Sequence, residues 1–208
     1  VWTGEIVNRK KNGEIYNERA NIAPITDENN KITGYLAIKE DITKQKEVEE
    51  KMVKFATRDE LTGVLNRRAG IDFLEQQIKI AERNSERFAV IYVDVNNLKV
   101  VNDNLGHNYG DNLIVEVCGG IKEEIRSTDI VARLGGDEFM IVMPKCDKKE
   151  SEIIWKRIER AYNYLNNNFA REYKISASHG IYEYIVGSNT SVDIILETAD
   201  KEMYKEKN

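Results

Sequence analysis

The chain has 208 residues, 41% of them hydrophobic, enough for one full domain and a fragment around a buried core. A net charge of −5 excludes a general electrostatic footprint for nucleic acid or for an anionic membrane surface. No apolar run approaches the ~20 residues of a membrane helix, no signal peptide opens the chain, and the isolated Cys118 and Cys146 read as free thiols of a reducing compartment.

Residues 1–41 hold two strand-like stretches, at about 14–24 and 32–40, joined by the turn Asp27-Glu-Asn-Asn30. Asn12-Gly13 is a further hairpin-turn signal. Residues 42–57 are charged and helical, and Gln45, Val48, Met52 and Phe55 are spaced by three, four and three. That is an a/d seam of about two heptads, short for an independent coiled coil. It fits an amphipathic helix packed on its own domain or a parallel dimer stalk. The patterning then predicts a helix over about 58–83, a strand over 87–95, and helices over about 97–103 and 108–126. A hairpin over 130–143, a helix over about 148–168, a strand over 173–183 and a helix over 191–206 follow. Helices around a mixed, mostly antiparallel sheet give an α+β fold, preceded by a β-hairpin remnant and a helical linker. Gly119 and Gly120 fall inside a predicted helix, where each costs ~1 kcal/mol relative to Ala, so close helix packing is the expected return.

The chemistry concentrates in two places. Around 133–144, two short apolar runs flank Gly135-Gly-Asp-Glu138. Gly135 and Gly136 let a bulky ligand lie against the backbone, and Asp137 and Glu138 put two carboxylates at the hairpin tip. Such acids suit hard ions like Mg²⁺, although a solvated turn has the same composition. The second place is the buried run of residues 88–95, with Asp94 near its end, where a lone carboxylate is costly unless paired or metal-bound. The following stretch, 96–111, is dense in groups that bind phosphates, metals and base edges. A strand-end Asp beside an acidic hairpin makes a plausible two-metal arrangement for phosphoryl transfer.

These segments resemble the GGDEF domain of the diguanylate cyclase family, which joins two GTP molecules into cyclic di-GMP. The resemblance covers about 57–208 and rests on ordered motifs: Asp59-Glu-Leu-Thr-Gly-Val-Leu-Asn-Arg-Arg68, the Asp94 to Asp111 stretch, Gly135-Gly-Asp-Glu-Phe139, Ser178-His-Gly180, and Ala199-Asp-Lys-Glu-Met-Tyr-Lys-Glu-Lys207. Residues 1–41, closing on Glu40-Asp-Ile-Thr43, resemble the C-terminal end of a PAS sensor domain. The implied organisation is a PAS fragment over 1–41, a coiled-coil linker over 42–57 and a GGDEF domain over 58–208, with a palm-like nucleotide-cyclase fold.

The resemblance implies roles residue by residue. Asp94, the Val95 carbonyl and Asp137 would ligate Mg²⁺ or Mn²⁺, two ions per site, with Glu138 supporting them. Either the metal or the hairpin acid would help deprotonate the attacking ribose 3′-OH. Asn102 and Asp111 would read guanine, since a carboxylate accepts from N1–H and N2–H₂ together and adenine offers no such donor pair. Asp111 also reads as a first-turn helix acid. Lys99 and Lys207 would meet phosphate, and the arginine usual a few residues after the second is lacking because the sequence ends at Asn208. Arg126 and Asp129 match the family's inhibitory site for cyclic di-GMP, where the bland alternative is a helix-end ion pair. Asn96, Leu98 and His179 depart from the family's usual residues, and His179 reads as a core or sheet-edge histidine. The expectation is a cytoplasmic homodimeric cyclase with one GTP per domain, an upstream membrane or sensor region remaining possible. The rival is a catalytically weak domain acting as a receptor for cyclic di-GMP or GTP.

Overall fold

The computed structural model describes residues 1–207, with side chains as far as Lys205. It divides into two compact units, Val1–Ala56 and the remainder from Thr57.

The first unit is a three-stranded antiparallel sheet followed by a helix. Strands β1 (Trp2–Arg9), β2 (Ile15–Thr26) and β3 (Ile32–Asp41) pair in that order. The sequence pattern gave a hairpin; β1 is the additional strand, masked because its apolar residues do not alternate with period two. The turn at 27–31 forms as its residue types dictate, with the Asp27 carboxylate accepting from the Asn29 and Lys31 amides at 2.9 Å. Helix α1 (Thr43–Thr57) has no buried residue, and the seam side chains Val48, Met52 and Phe55 are 44%, 65% and 70% exposed.

The second unit is a four-stranded antiparallel sheet in the order β5 (Ile130–Gly135), β6 (Glu138–Pro144), β4 (Phe88–Val95) and β7 (Ala177–Tyr184). The remaining helices are α2 (Arg67–Asn84), α3 (Leu98–Leu105), α4 (His107–Glu124), α5 (Lys148–Asn168) and α6 (Val192–Lys207). Alternate residues of β4 serve two cores. Ala89, Ile91, Val93 and Val95 pack with residues of α4 and α5, while Phe88, Val90 and Tyr92 pack with residues of α2 and α6. Burial on both faces explains the unbroken apolar run of this strand. The fold is thus the expected α+β arrangement.

Two boundaries and one packing expectation differ from the sequence reading. Residues 58–66 are not helical. The Asp59 carboxylate accepts from the Thr62 amide and hydroxyl, Leu65 bridges to Ala132, and Asn66 caps α2 by accepting from the Ala69 amide. Strand β7 starts at Ala177, since the Asn166 side chain grips both main-chain groups of Ile175 and holds that segment off the sheet. Only one of the paired glycines in α4 is a packing seat. A Cβ on Gly120 would come within 2.6 Å of the Tyr162 ring, whereas one on Gly119 meets nothing.

Candidate active site

Strand β4 ends at Asp94 and Val95, and register decides what faces them. Asp94 lies opposite Glu138 on β6 and opposite Ser178 on β7. Directly paired residues point to the same face, so the Asp94 and Glu138 side chains are neighbours. The Val95 amide donates to the Asp137 carbonyl at 2.9 Å, which ties the hairpin tip to the end of the central strand. The tip itself bends through Gly135 (φ 154°) and Gly136 (φ 45°), with a register shift after Arg133. The second of these is a left-handed conformation that only glycine adopts freely. A Cβ at either glycine would meet nothing within 4 Å, so the backbone there is open to a ligand.

A cation secures the tip from behind. The Arg133 guanidinium donates to the Gly136 carbonyl at 2.7 and 3.1 Å and to both Asp59 carboxylate oxygens at 3.2 Å. Burial raises the Asp59 pKa, but the Thr62 hydrogen bonds and Arg133 outweigh it and hold the carboxyl below its usual value. Arg67 adds a donor to the Leu134 carbonyl at 3.3 Å. On the same sheet face, Tyr92 lies diagonal to Glu138 across β4 and β6, with that carboxylate, Arg67 and Asp200 close enough to act on its hydroxyl electrostatically. Sequence reasoning assigned no role to Asp59, Arg67, Tyr92 or Arg133. For Tyr92 a signal existed: two residues before Asp94 on a strand is the same face.

The base-reading candidates also converge. The Asn102 side-chain oxygen lies over Gly110, in the space a Cβ there would take, so α3 brings Asn102 beside α4 next to the exposed Asp111. Asp111 is not the first-turn acid its position suggested, because α4 already begins at His107 and its first turn holds no acid. Lys99 is exposed on α3, one turn before Asn102. The Lys207 side chain lies outside the described residues. At the far end of α4, Asp129 is buried at 7% exposure and accepts from the Arg126 amide at 2.8 Å, so the carboxylate closes its own turn. Among the described residues it makes no ion pair with the Arg126 guanidinium, which is exposed. His179 sits on edge strand β7, stacked on Trp155 with ring centroids 4.3 Å apart. Burial pushes its imidazole pKa down to about 4.

Asp94, Asp137, Glu138 and the Val95 carbonyl are hard oxygen donors of the kind Mg²⁺ and Mn²⁺ take. Among the described residues no group of three or more His, Cys, Asp or Glu side chains stands together so as to hold a metal ion by itself. An open donor set at the hairpin fits an ion that completes its coordination with substrate phosphates.

An antiparallel sheet with helices on both faces, and carboxylates gathered at one strand end beside an open glycine turn, defines a palm-like domain of the nucleotide-cyclase class. Residues 56–208 match the family described as the diguanylate cyclase GGDEF domain. The chain belongs to that family. It is 37% identical over 160 residues to the bifunctional diguanylate cyclase/cyclic di-GMP phosphodiesterase MucR of Pseudomonas aeruginosa, covering 75% of this chain and 23% of that protein. It is 28% identical over 205 residues to the probable diguanylate cyclase DgcE of Escherichia coli, covering 98% of this chain and 18% of that protein. The chain therefore spans less than a quarter of the length of these relatives. The solved coiled coil and GGDEF domain of DgcB from Caulobacter crescentus, in complex with c-di-GMP, superposes with a TM-score of 0.70 at 25% identity, over 80% of this chain and 88% of that one.

Proposed function

We propose that the domain condenses two GTP molecules into cyclic di-GMP, releasing two pyrophosphates. The observation that carries this reading is the meeting of β4 with the hairpin: Asp94 opposite Glu138, and the Val95 amide bound to the Asp137 carbonyl. Asp94, the Val95 carbonyl, Asp137 and Glu138 would hold two Mg²⁺ or Mn²⁺ ions together with the substrate phosphates. When bound, the ions neutralise phosphate charge and make the ribose 3′-OH more acidic. The chain's own residues position the rest. Gly135 and Gly136 admit the nucleotide against the backbone, Lys99 meets its phosphates, and the family resemblance gives Lys207 the same role. Asn102 and Asp111 select guanine, since adenine would leave the acid without its donors.

One domain carries one such hairpin, and the product needs two guanylyl units joined twice, so two domains face each other with one GTP each. The seam of α1 supplies the contact, its Val48, Met52 and Phe55 lying exposed in the single chain. The DgcB fragment likewise carries a coiled coil beside its GGDEF domain. The three strands over 1–41 are the end of a PAS domain that passes a signal to this stalk. No helix among the described residues is long and apolar enough to cross a membrane, and the cytoplasm supplies the GTP. The exposed Arg126 guanidinium and the turn closed by Asp129 form the product-binding inhibitory site. Incubation with GTP and Mg²⁺, followed by chromatography, tests the reading. Cyclic di-GMP is the expected product, with specific activity rising with protein concentration. Tight binding of cyclic di-GMP without turnover would favour the receptor alternative.

A further inference from the structure

Tyr92 is the one large polar side chain in the middle of β4. It is 8% exposed and belongs to the core cluster that includes Leu134, Met140, Ala199 and Met203. A phenylalanine would fill that space equally well, and a buried hydroxyl is costly unless it is bonded. The carboxylate within its reach is that of Glu138. Register makes the contact possible: Tyr92 pairs with Met140 and Asp94 with Glu138, so Tyr92 reaches Glu138 along the diagonal of one sheet face.

We infer that Tyr92 is a positioning residue: its hydroxyl binds the Glu138 carboxylate and holds that side chain beside Asp94, so that the hairpin acid is oriented before metal and nucleotide arrive. The consequence for metal binding rests on the proposed cyclase reading. Fixing one carboxylate oxygen removes side-chain freedom that binding would otherwise have to remove, and groups that orient a metal's ligands contribute measurably to its affinity. Met140, directly opposite Tyr92, has no such effect to give, since its side chain offers no donor.

Tyr92→Phe tests this by removing one oxygen and keeping the ring. The readout is Mn²⁺ affinity, followed by electron paramagnetic resonance, in the presence of an α,β-methylene GTP analogue that cannot be cyclised. The variant is expected to bind Mn²⁺ about tenfold more weakly, with nucleotide binding in the absence of divalent ions unchanged. In a Glu138→Gln background, Tyr92→Phe is expected to add little, because the phenol acts through that carboxylate. Equal Mn²⁺ affinity in wild type and a folded Tyr92→Phe would overturn the inference and leave the cyclase reading standing. Fully additive losses in the double variant would also overturn it. Failure of the wild type itself to bind Mn²⁺ with the analogue would overturn the cyclase reading, and the inference with it.

Discussion

The acidic hairpin and helix α1 differ in what holds them. The hairpin tip is fixed from within the chain: the Val95 amide takes the Asp137 carbonyl, Arg133 takes the Gly136 carbonyl, and Asp59 anchors Arg133. Helix α1 buries nothing, and its apolar seam is exposed. One region is finished by the fold and needs a small ligand. The other has the surface of half an interface. On the proposed reading, chemistry is organised in each domain before assembly, while assembly decides whether two half-sites meet.

Breaking the finished region should have the largest effect. Asp137→Ala removes a proposed ligand at a half-buried turn position where Ala is tolerated, so cyclic di-GMP formation should fall by roughly a hundredfold or more, with little change in the thermal unfolding midpoint. Near-normal turnover would remove Asp137 from the site. Breaking the unfinished region should act only through concentration. With Asp at both Val48 and Met52, a dimer seam would have to bury charge, so activity at dilute protein should fall about tenfold and recover as protein is concentrated. Binding of a single uncyclisable GTP analogue should not change. A loss of equal size at every concentration would mean that the seam packs on its own chain.

The same contrast separates what was legible in the sequence. Asp94 and Asp137 stood out because carboxylates at a strand end and a glycine turn are locally unusual, and ordered motifs gave them a context. Residues 58–66 read as helix because apolar periodicity outweighed turn chemistry. Asp59, Thr62 and Asn66 compete for backbone groups there, and the bonds they make end the helix signal nine residues late. Arg133 was illegible for a different reason, and for Tyr92 the sequence showed the shared face but not the partner. Their partners, Asp59 and Glu138, lie 74 and 46 positions away, and only the register of β4, β5 and β6 brings them together. Strand β1 was missed because its pairing with β2, not its own pattern, makes it a strand.

Loosening the hairpin without touching its carboxylates sharpens the comparison. Arg133→Ala takes away the donor to Gly136 and leaves Asp59 partly buried without its cation. Turnover should fall about tenfold and stability by about 1–3 kcal/mol. Combining it with Asp59→Asn should cost less than the sum, since the two residues form one unit. Additive losses would show that Arg133 and Asp59 act separately.

The smallest effect concerns pH and the stability of the second unit alone. His179 is stacked on Trp155 and its pKa is pushed by burial to about 4. Lys148, Glu152, Glu202 and Lys205 surround the cleft beside it. The unfolded chain takes up its proton near the ordinary value of about 6.5, the folded one only near 4. The contribution of neutral His179 is therefore complete above about pH 6.5 and is lost as pH falls from there toward 4. Between pH 7 and 5 the loss should be about 2 kcal/mol, and His179→Phe, which keeps a ring against Trp155, should flatten it. The two tryptophans allow the units to be read separately, because Trp2 lies in β1 and Trp155 in α5. In a Trp2→Phe chain, denaturant unfolding followed by Trp155 should show the acid weakening. In a Trp155→Phe chain, unfolding of the first unit followed by Trp2 should not, because both histidines of the chain, His107 and His179, lie beyond Ala56. An equal acid shift at Trp2 would mean that carboxylates, not His179, set the stability of both units below neutral pH.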